Sequence, residues 1–218
     1  SDLGDGNYKK ASSFGNPYSN TRNIKLNDID NDGDIDILIT NRLEPNEICL
    51  NNGKGEFSRI LFFGNAEDAT IDVEISDMNN DGFKDLILAN RNNQPNYIYL
   101  NNGNLEFIEK KMFGTGSDNT RAIEVNDLNN DGFKDIVTGN IDEPNVIYFG
   151  DKLSSFKKHY VFDDSNSSTF SLSVNDFNHD GMPDIVVGNS PGLNKIFFNN
   201  LKEEKWNIKI LSKMEYRT

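Results

Sequence analysis

A nine-residue segment from Asp28 to Asp36 carries oxygen side chains at positions 1, 3, 5 and 9, with Gly33 at position 6. Oxygens at alternating positions of a tight loop suit Ca²⁺, a hard cation that accepts six to eight oxygen ligands at flexible angles. Glycine at position 6 permits the sharp turn that brings position 9 back to the ion. The segment therefore predicts a calcium loop with the spacing of the first part of an EF-hand loop.

The same segment recurs three times. The first residues of the four copies are Asp28, Asp77, Asp127 and Asp176, which lie 49, 50 and 49 residues apart. A fixed period of this length indicates a repeat architecture. Turns that need no metal are the alternative, but three or more converging carboxylates would repel one another without a cation.

In each copy, positions 1, 3, 5 and 9 are expected to supply side-chain oxygens and position 7 a backbone carbonyl. The predicted ligands are Asp28, Asp30, Asp32, Asp34 and Asp36; Asp77, Asn79, Asp81, Phe83 and Asp85; Asp127, Asn129, Asp131, Phe133 and Asp135; and Asp176, Asn178, Asp180, Met182 and Asp184.

The segments around each loop read as strands. Ile24 and Leu26 alternate with polar residues before the first loop, and the apolar run 37–39 follows it. Period-two alternation is typical of a half-buried strand, so each loop is expected to close a hairpin. Third strands are predicted at 46–50, 96–100, 145–149 and 194–198. Fourth strands are expected to open with an aromatic residue, at Tyr8, Phe57, Phe107, Phe156 and Trp206. Four strands in about fifty residues match one blade of a β-propeller.

Together with Asn-Asn-Gly turns such as the one at 51–53, which precedes Phe57, these loops are similar to FG-GAP/VCBS repeats. The resemblance covers nearly the whole chain. It implies an all-β fold, a β-propeller of four-stranded blades with Ca²⁺ as cofactor. Such repeats build the calcium-bearing propellers of integrin α subunits and of many secreted bacterial lectins, adhesins and polysaccharide lyases. The resemblance is a weak guide to activity, because one fold hosts many functions.

We expect a single β-propeller domain over 1–218, with repeat units at about 8–56, 57–106, 107–155 and 156–205 and a partial unit at 206–218. Family propellers usually close with about seven blades. The half-units at both ends therefore favour a part of a larger ring. The alternative is a closed four-bladed ring, in which the strands of Tyr8 and Trp206 would compete for one blade.

The formal net charge of −13 is concentrated in the loops, which hold fourteen carboxylates. Four Ca²⁺ ions would bring the net charge to about −5. The acidity argues against a nucleic-acid partner, which would require a basic surface. No segment is apolar enough to span a membrane, and the single cysteine excludes a disulfide within the chain. Because Ca²⁺ is abundant outside cells, a secreted or cell-surface location is expected.

Four arginines are predicted at the end of the strands opposite the loops, because the two sides of a hairpin return to the same end. Arg22 and Arg121 stand six residues before a loop, and Arg42 and Arg91 follow second strands. Arginine can donate two parallel hydrogen bonds to a carboxylate or sulfate. These residues are thus candidate ligands for an acidic sugar or a protein carboxylate. The alternative is that they pair with Glu44, Glu67 or Glu124, or that their side chains simply cover apolar surface.

The sequence favours a non-enzymatic extracellular module that binds a glycan or protein partner. A polysaccharide lyase acting on acidic polysaccharide is the second hypothesis, in which His159, Tyr160 and an arginine would abstract the proton beside a uronate carboxylate. A purely structural module of a larger surface protein is the third. The sequence contains no nucleophile motif, phosphate loop or zinc-ligand set.

Overall fold

The computed structural model describes residues 13–165 and 167–200 and the backbone of 205–210, and its regular structure consists of β-strands. Sheet 1 contains β1 (Thr21–Asn27), β2 (Asp36–Asn41), β3 (Asn46–Leu50) and β4 (Arg59–Phe63). Sheet 2 contains β5 (Thr70–Ser76), β6 (Asp85–Asn90), β7 (Gln94–Leu100) and β8 (Glu109–Asp118). Sheet 3 contains β9 (Thr120–Asn126), β10 (Asp135–Asn140), β11 (Asn145–Phe149) and β12 (Lys158–Asp163). Sheet 4 contains β13 (Thr169–Asn175), β14 (Asp184–Asn189), β15 (Lys195–Asn200) and β16 (Lys205–Ile210).

Each sheet is an antiparallel meander of four consecutive strands. An acidic loop closes its first hairpin, and the last residue of the first strand pairs with loop position 9, as Asn27 pairs with Asp36 in sheet 1. The predicted hairpins and the predicted four strands per repeat are therefore confirmed, although each sheet takes its fourth strand from the start of the next expected repeat unit. The first strands pack in series, β1 on β5, β5 on β9 and β9 on β13, so the sheets form an arc. Within the described residues the arc is not closed into a ring.

The apolar core lies between successive sheets. Leu38, Ile48 and Phe63 of sheet 1 pack against Val73 and Leu86 of sheet 2. The alternation of side chains along each strand places one apolar face toward the preceding sheet and the other toward the following sheet. Two further clusters repeat this contact between sheets 2 and 3 and between sheets 3 and 4. The second strands are therefore buried on both faces, as shown by the fully buried β2, β6 and β10.

The fourth strands begin two residues later than predicted. Phe57, Phe107 and Phe156 precede β4, β8 and β12. The rings of Phe107 and Phe156 pack into the clusters between sheets, and the ring of Phe57 packs against Ile37, Ile39 and Cys49 on the free face of sheet 1. The packed aromatic residue is thus the end of the turn, and the hydrogen-bonded strand starts two residues after it. Tyr8 and the side chain of Trp206 lie outside the described residues, although the backbone of β16 pairs with β15 as the fourth strand of sheet 4.

The two outermost faces of the arc expose large apolar side chains. Leu26 and Phe62, on the free face of sheet 1, are 64% and 67% exposed. Phe177 follows the first loop residue of sheet 4 and is 44% exposed. The residues at the same position in the other loops, Ile29, Met78 and Leu128, are 1%, 4% and 1% exposed because the next sheet covers them.

Candidate functional site

The four acidic loops share one hydrogen-bonded geometry. In the second loop, Asp77 accepts bonds from the backbone amides of Asp81 (3.1 Å) and Gly82 (2.8 Å), and Asp81 accepts one from the amide of Phe83 (2.9 Å). The same three contacts recur in the other loops. Residues at position 4 have φ between 56° and 61°, a conformation that asparagine adopts readily, and Gly82 has φ 90°. The loop shape is therefore set by backbone contacts of the chain itself.

The carboxylate at position 9 ties the loop to the rest of its sheet. Asp135 is fully buried and accepts bonds from the amides of Leu128 and Gly150, both at 2.8 Å. Asp36, Asp85 and Asp184 make the equivalent pair of contacts. Burial raises the pKa of Asp135 to about 6, and the neighbouring loop carboxylates add to the shift against the effect of the two amides. Burial likewise raises the pKa of Asp85 to about 6.

The donor set of the first loop fits a calcium ion. Carboxylate oxygens of Asp28, Asp30 and Asp36 all lie within 4.8 Å of one another, which is the crowding that a shared cation relieves. Burial raises the pKa of Asp30, and the charges of Asp32 and Asp28 raise it further. Oxygen-only ligands of this density are those that Ca²⁺ prefers. When bound, the ion would neutralise the loop charge and cross-link the two strands of the hairpin.

The first loop differs from the other three at position 3. Asn79, Asn129 and Asn178 each donate an amide hydrogen to the carboxylate at position 5 at 2.9 Å, which partly relieves the charge there. Asp30 has no such hydrogen to give, so the first loop concentrates more negative charge than its sisters. The four loops thus share the same backbone contacts, but they are not electrostatically equivalent.

The four predicted arginines lie at the end of the sheets opposite the acidic loops. Arg22 and Arg121 are the second residues of β1 and β9, and Arg42 and Arg91 directly follow β2 and β6. We call this region the arginine end. Arg22 and Arg121 border one cavity of about 290 Å³ that lies between first strands and is also lined by Phe170. The Arg121 guanidinium carbon lies 5.9 Å from the centre of the Phe170 ring.

The four arginines of the arginine end form no ion pair among the described residues, and the charge of Asp142 partly offsets the neighbouring cations at Arg91. Burial lowers the pKa of the Arg91 guanidinium, and three nearby cations, Arg42, Arg121 and Arg22, lower it further. The Nε atoms of Arg42 and Arg91 are buried and have no hydrogen-bond partner in the described part of the chain. Arg42 donates to the Asn92 side chain at 3.1 Å. Among the described residues the ion pairs are Lys25–Glu74 and Lys195–Asp163, so the predicted pairing of these arginines with Glu44, Glu67 or Glu124 does not form.

Sequence reasoning missed a charged cluster further along the same cavity. Lys25 forms an ion pair with Glu74, and Asp72 accepts bonds from the Asn23 side chain and from the amide of Ile123 at 3.2 Å. Burial raises the pKa of Glu124 to about 7, and the charges of Glu74 and Asp72 add to the shift while Lys25 opposes it. The signal in the sequence was a charged residue three positions before each of three loops, namely Lys25, Glu74 and Glu124.

Glu124→Gln is expected to stabilise the fold at pH 8 and to have little effect at pH 4. The pKa of Glu124 in the folded protein lies above its ordinary value. The free energy of unfolding of the wild-type protein therefore falls as the pH rises from about 4.5 to 7. A shift of this size would be worth about 3 kcal/mol for a fully buried group, and partial exposure reduces it to about 1 kcal/mol. Urea unfolding at both pH values, at constant Ca²⁺, measures the effect. The exposed Glu109→Gln is the control, and equal effects of the two variants at pH 8 would contradict the assignment.

The residues of the lyase hypothesis do not form one site. His159 and Tyr160 are consecutive in β12 and therefore point to opposite faces of the sheet. The His159 ring lies 6.0 Å from the Tyr148 ring at the edge of sheet 3, whereas the arginines cluster around the first strands. His179 occupies position 4 of its loop and is exposed.

Consecutive four-stranded meanders, packed face to face through their first strands and joined by acidic loops, define a β-propeller-like class of protein. The chain belongs to the FG-GAP-like repeat family, whose family model matches residues 28–88, 77–138 and 127–187. A search of curated proteins gave no match.

Solved structures support the fold. BBS1N, crystallised in complex with ARL6DN, is similar with a TM-score of 0.55 and 14% identity over 85% of this chain and 53% of that chain. The biofilm matrix protein Bap1 of V. cholerae is similar with a TM-score of 0.51 and 18% identity over 80% of this chain and 26% of that chain. The chain thus spans about half of the first structure and a quarter of the second. At these identities the likeness concerns the fold alone.

The part of the chain that the structure describes contains no helix with the length and apolar character needed to cross a membrane.

Proposed function

We propose that this chain is a calcium-stabilised β-propeller module that acts outside the cell and uses its arginine end to bind an acidic partner, either a glycan or a protein. The observation that carries the proposal is the separation of charge. Carboxylates are crowded into one loop at one end of every sheet. Four arginines that form no ion pair with the described residues lie close together at the other end, which also carries scattered carboxylates such as Asp142. Cations and an acidic ligand would therefore be bound at opposite ends of the same scaffold.

The calcium part of the proposal is supported by the loop geometry. Four loops with the same backbone contacts hold oxygen donors at positions 1, 3, 5 and 9, and position 9 is anchored to the sheet. A pre-formed loop loses little conformational freedom on binding. We expect affinities of about 10⁻⁴–10⁻³ M, the range of extracellular calcium modules, which suits a secreted or cell-surface location.

The recognition part is supported by the charge and geometry of the arginine end. None of the four arginines is in an ion pair among the described residues. Arg22, Arg121 and Phe170 border one cavity, which combines two guanidinium groups with an aromatic surface. Carboxylates and sulfates are the groups that guanidinium recognises with paired hydrogen bonds. Acidic sugars and carboxylate side chains of proteins both present them.

Arg22→Ala and Arg121→Ala are each expected to weaken binding of an acidic ligand by about 1.5–3 kcal/mol, which is the range for a hydrogen bond to a charged group. An array of acidic and neutral glycans would select the ligand, and calorimetry would measure the change. Arg59→Ala removes the same charge at the start of β4, at the loop end, and should leave binding intact. Normal binding by the Arg22/Arg121 double variant would refute the arginine end as the site.

We further propose that the four sheets form part of a larger propeller of about seven blades. The exposed apolar faces of sheet 1 and sheet 4 support this, because the same faces are buried at all three contacts inside the arc. Phe14 already lies against Phe57 on the free face of sheet 1, with the ring centres 5.9 Å apart. An experimental structure of the natural protein in which both faces contact solvent would overturn this proposal.

A further inference from the structure

The outer edges of the three sheet contacts are filled differently. Where sheet 2 meets sheet 3, an open cavity of about 720 Å³ remains, which we call the middle groove. Val146, Tyr148 and His159 of sheet 3 border it, and Phe113 and Asp118 of sheet 2 face them. This volume is in the range of small-molecule sites, which combine apolar walls with a few polar groups.

At the contact between sheets 1 and 2, the corresponding place holds a lysine of the chain itself. Tyr97 takes the strand position of Val146, and Lys110 pairs with Tyr99 as His159 pairs with Tyr148. The Lys110 ammonium lies 4.2 Å from the centre of the Tyr97 ring and 5.8 Å from that of Tyr99. This edge therefore contains an ammonium group stacked on aromatic rings.

At the contact between sheets 3 and 4, the ammonium group of a second lysine lies at the corresponding edge. Lys195 takes the strand position of Val146, and its ammonium bonds to both carboxylate oxygens of Asp163, at 2.9 and 3.0 Å. It also bonds to the Ser165 hydroxyl at 3.0 Å and lies 5.9 Å from the centre of the Phe197 ring. Both sister edges thus place an internal ammonium beside an aromatic ring.

The middle groove keeps the ring that corresponds to Tyr99 and Phe197, namely Tyr148, and it keeps the negative charge. It lacks the lysine and also the closer ring of Tyr97, because Val146 stands there. Histidine replaces Lys110, and Val146 replaces Lys195, while the Tyr148 ring remains. Its carboxylates are bound only by neutral donors. Asp118 accepts the Thr115 hydroxyl at 2.7 Å, and Glu143 accepts the Asn119 amide at 3.1 Å.

The charge in the middle groove is not compensated within the described residues. Neither Asp118 nor Glu143 is in an ion pair there, and Lys157, which also borders the cavity, has an exposed side chain. Burial raises the pKa of Tyr148 to about 12, and the charges of Asp118 and Glu143 add to the shift. Two carboxylates without an ion pair in the described part of the chain thus stand beside the ring, where they would attract a cation.

We propose that the middle groove binds a primary ammonium group, specifically the side chain of an exposed lysine on a partner protein. The external ammonium would take the place that Lys110 and Lys195 occupy at the sister edges, beside Asp118 and Glu143 and at the small accessible part of Tyr148, which is 7% exposed. Cation–π and carboxylate contacts of a single side chain give weak binding, with a Kd on the order of 1–10 mM for an isolated lysine. The middle groove is lined mainly by third and fourth strands, whereas Arg22 and Arg121 border the separate cavity between first strands.

The test uses N-acetyl-lysine methylamide as the probe and N-acetyl-norleucine methylamide, which has the same apolar stem without the ammonium, as its control. The chain has two histidines, so the His159 imidazole signals are easily followed by NMR, and His179 at a calcium loop is an internal reference. The lysine probe should shift the signals of His159 and leave those of His179 unchanged, with at least about tenfold tighter binding than the control. Equal binding of both probes, or no shift at His159, would overturn the proposal.

Two variants sharpen the test. Glu143→Gln removes one charge without changing the shape, because Gln94 holds the corresponding position in sheet 2 and accepts an equivalent bond from Ala69. This variant should bind the lysine probe about fivefold or more weakly than the wild-type chain does. Val146→Tyr combined with His159→Lys copies the filled edge of sheets 1 and 2, and the Tyr148 ring signals should then no longer respond. Unchanged affinity in either variant, with calcium content intact, would contradict the site.

Discussion

Removal of Ca²⁺ is expected to lower the melting temperature of this chain sharply or to unfold it. Each ion bound only to the folded state adds RT ln(1 + [L]/Kd), about 1.4 kcal/mol at tenfold excess over Kd, so four loops would contribute about 5–6 kcal/mol. That is comparable to the whole unfolding free energy of a typical domain, about 5–15 kcal/mol. The loss has a direct physical cause, because carboxylates such as those of Asp28, Asp30 and Asp36 lie within 4.8 Å of one another. Calorimetric melting with and without excess chelator measures it.

Two controls separate specific binding from simple screening of charge. Sodium chloride at matched ionic strength screens exposed carboxylates without coordinating them and should restore little of the lost stability. Mg²⁺ demands shorter distances and near-ideal octahedral geometry, so it should restore less than Ca²⁺ at the same concentration. A melting curve that does not change in excess chelator would contradict the account.

Asp135→Ala is expected to lower the free energy of unfolding by more than the loss of one calcium ion would. The fully buried carboxylate accepts the amides of Leu128 and Gly150, both at 2.8 Å, and no other group would replace it. A buried donor left without a partner costs about 1–3 kcal/mol, so two of them would cost about 2–6 kcal/mol. Urea unfolding at saturating Ca²⁺ measures the total loss.

Asp131→Ala is the matched control, because it should also disrupt calcium binding by the same loop. Asp131 is exposed, and its amide contact with Phe133 can be replaced by water. The difference between the two variants therefore isolates the cost of the two buried amides. Equal destabilisation by both variants would show that position 9 acts only through the metal.

Much of the fold could be predicted from the sequence because the repeat makes each local signal appear four times. The alternation at Ile24 and Leu26 and the apolar run 37–39 predicted the strands that became β1 and β2. Hairpin geometry then placed Arg22 and Arg42 at the end opposite the loops. Such predictions rest on period and chain direction, which a sequence states directly.

The contacts between repeats could not be predicted, since they depend on which residues meet across sheets. Nothing in the local sequence shows that Phe57 packs into a cluster before β4 starts, or that Asp72 joins Asn23 to Ile123. The middle groove is a similar case. Val146 is an ordinary strand residue, and its importance emerges only beside Tyr97 and Lys195 at the sister edges. Closure of the ring likewise depends on sheet-to-sheet angles that are set by packing.

The central claim is that each acidic loop binds one calcium ion. Calorimetric titration of the chelator-stripped chain with CaCl₂ tests it most directly. The account predicts a stoichiometry of four ions per chain and of three for Asp81→Ala, in which the second loop alone loses a carboxylate. A titration that shows no calcium binding, or an unchanged stoichiometry in Asp81→Ala, would contradict it.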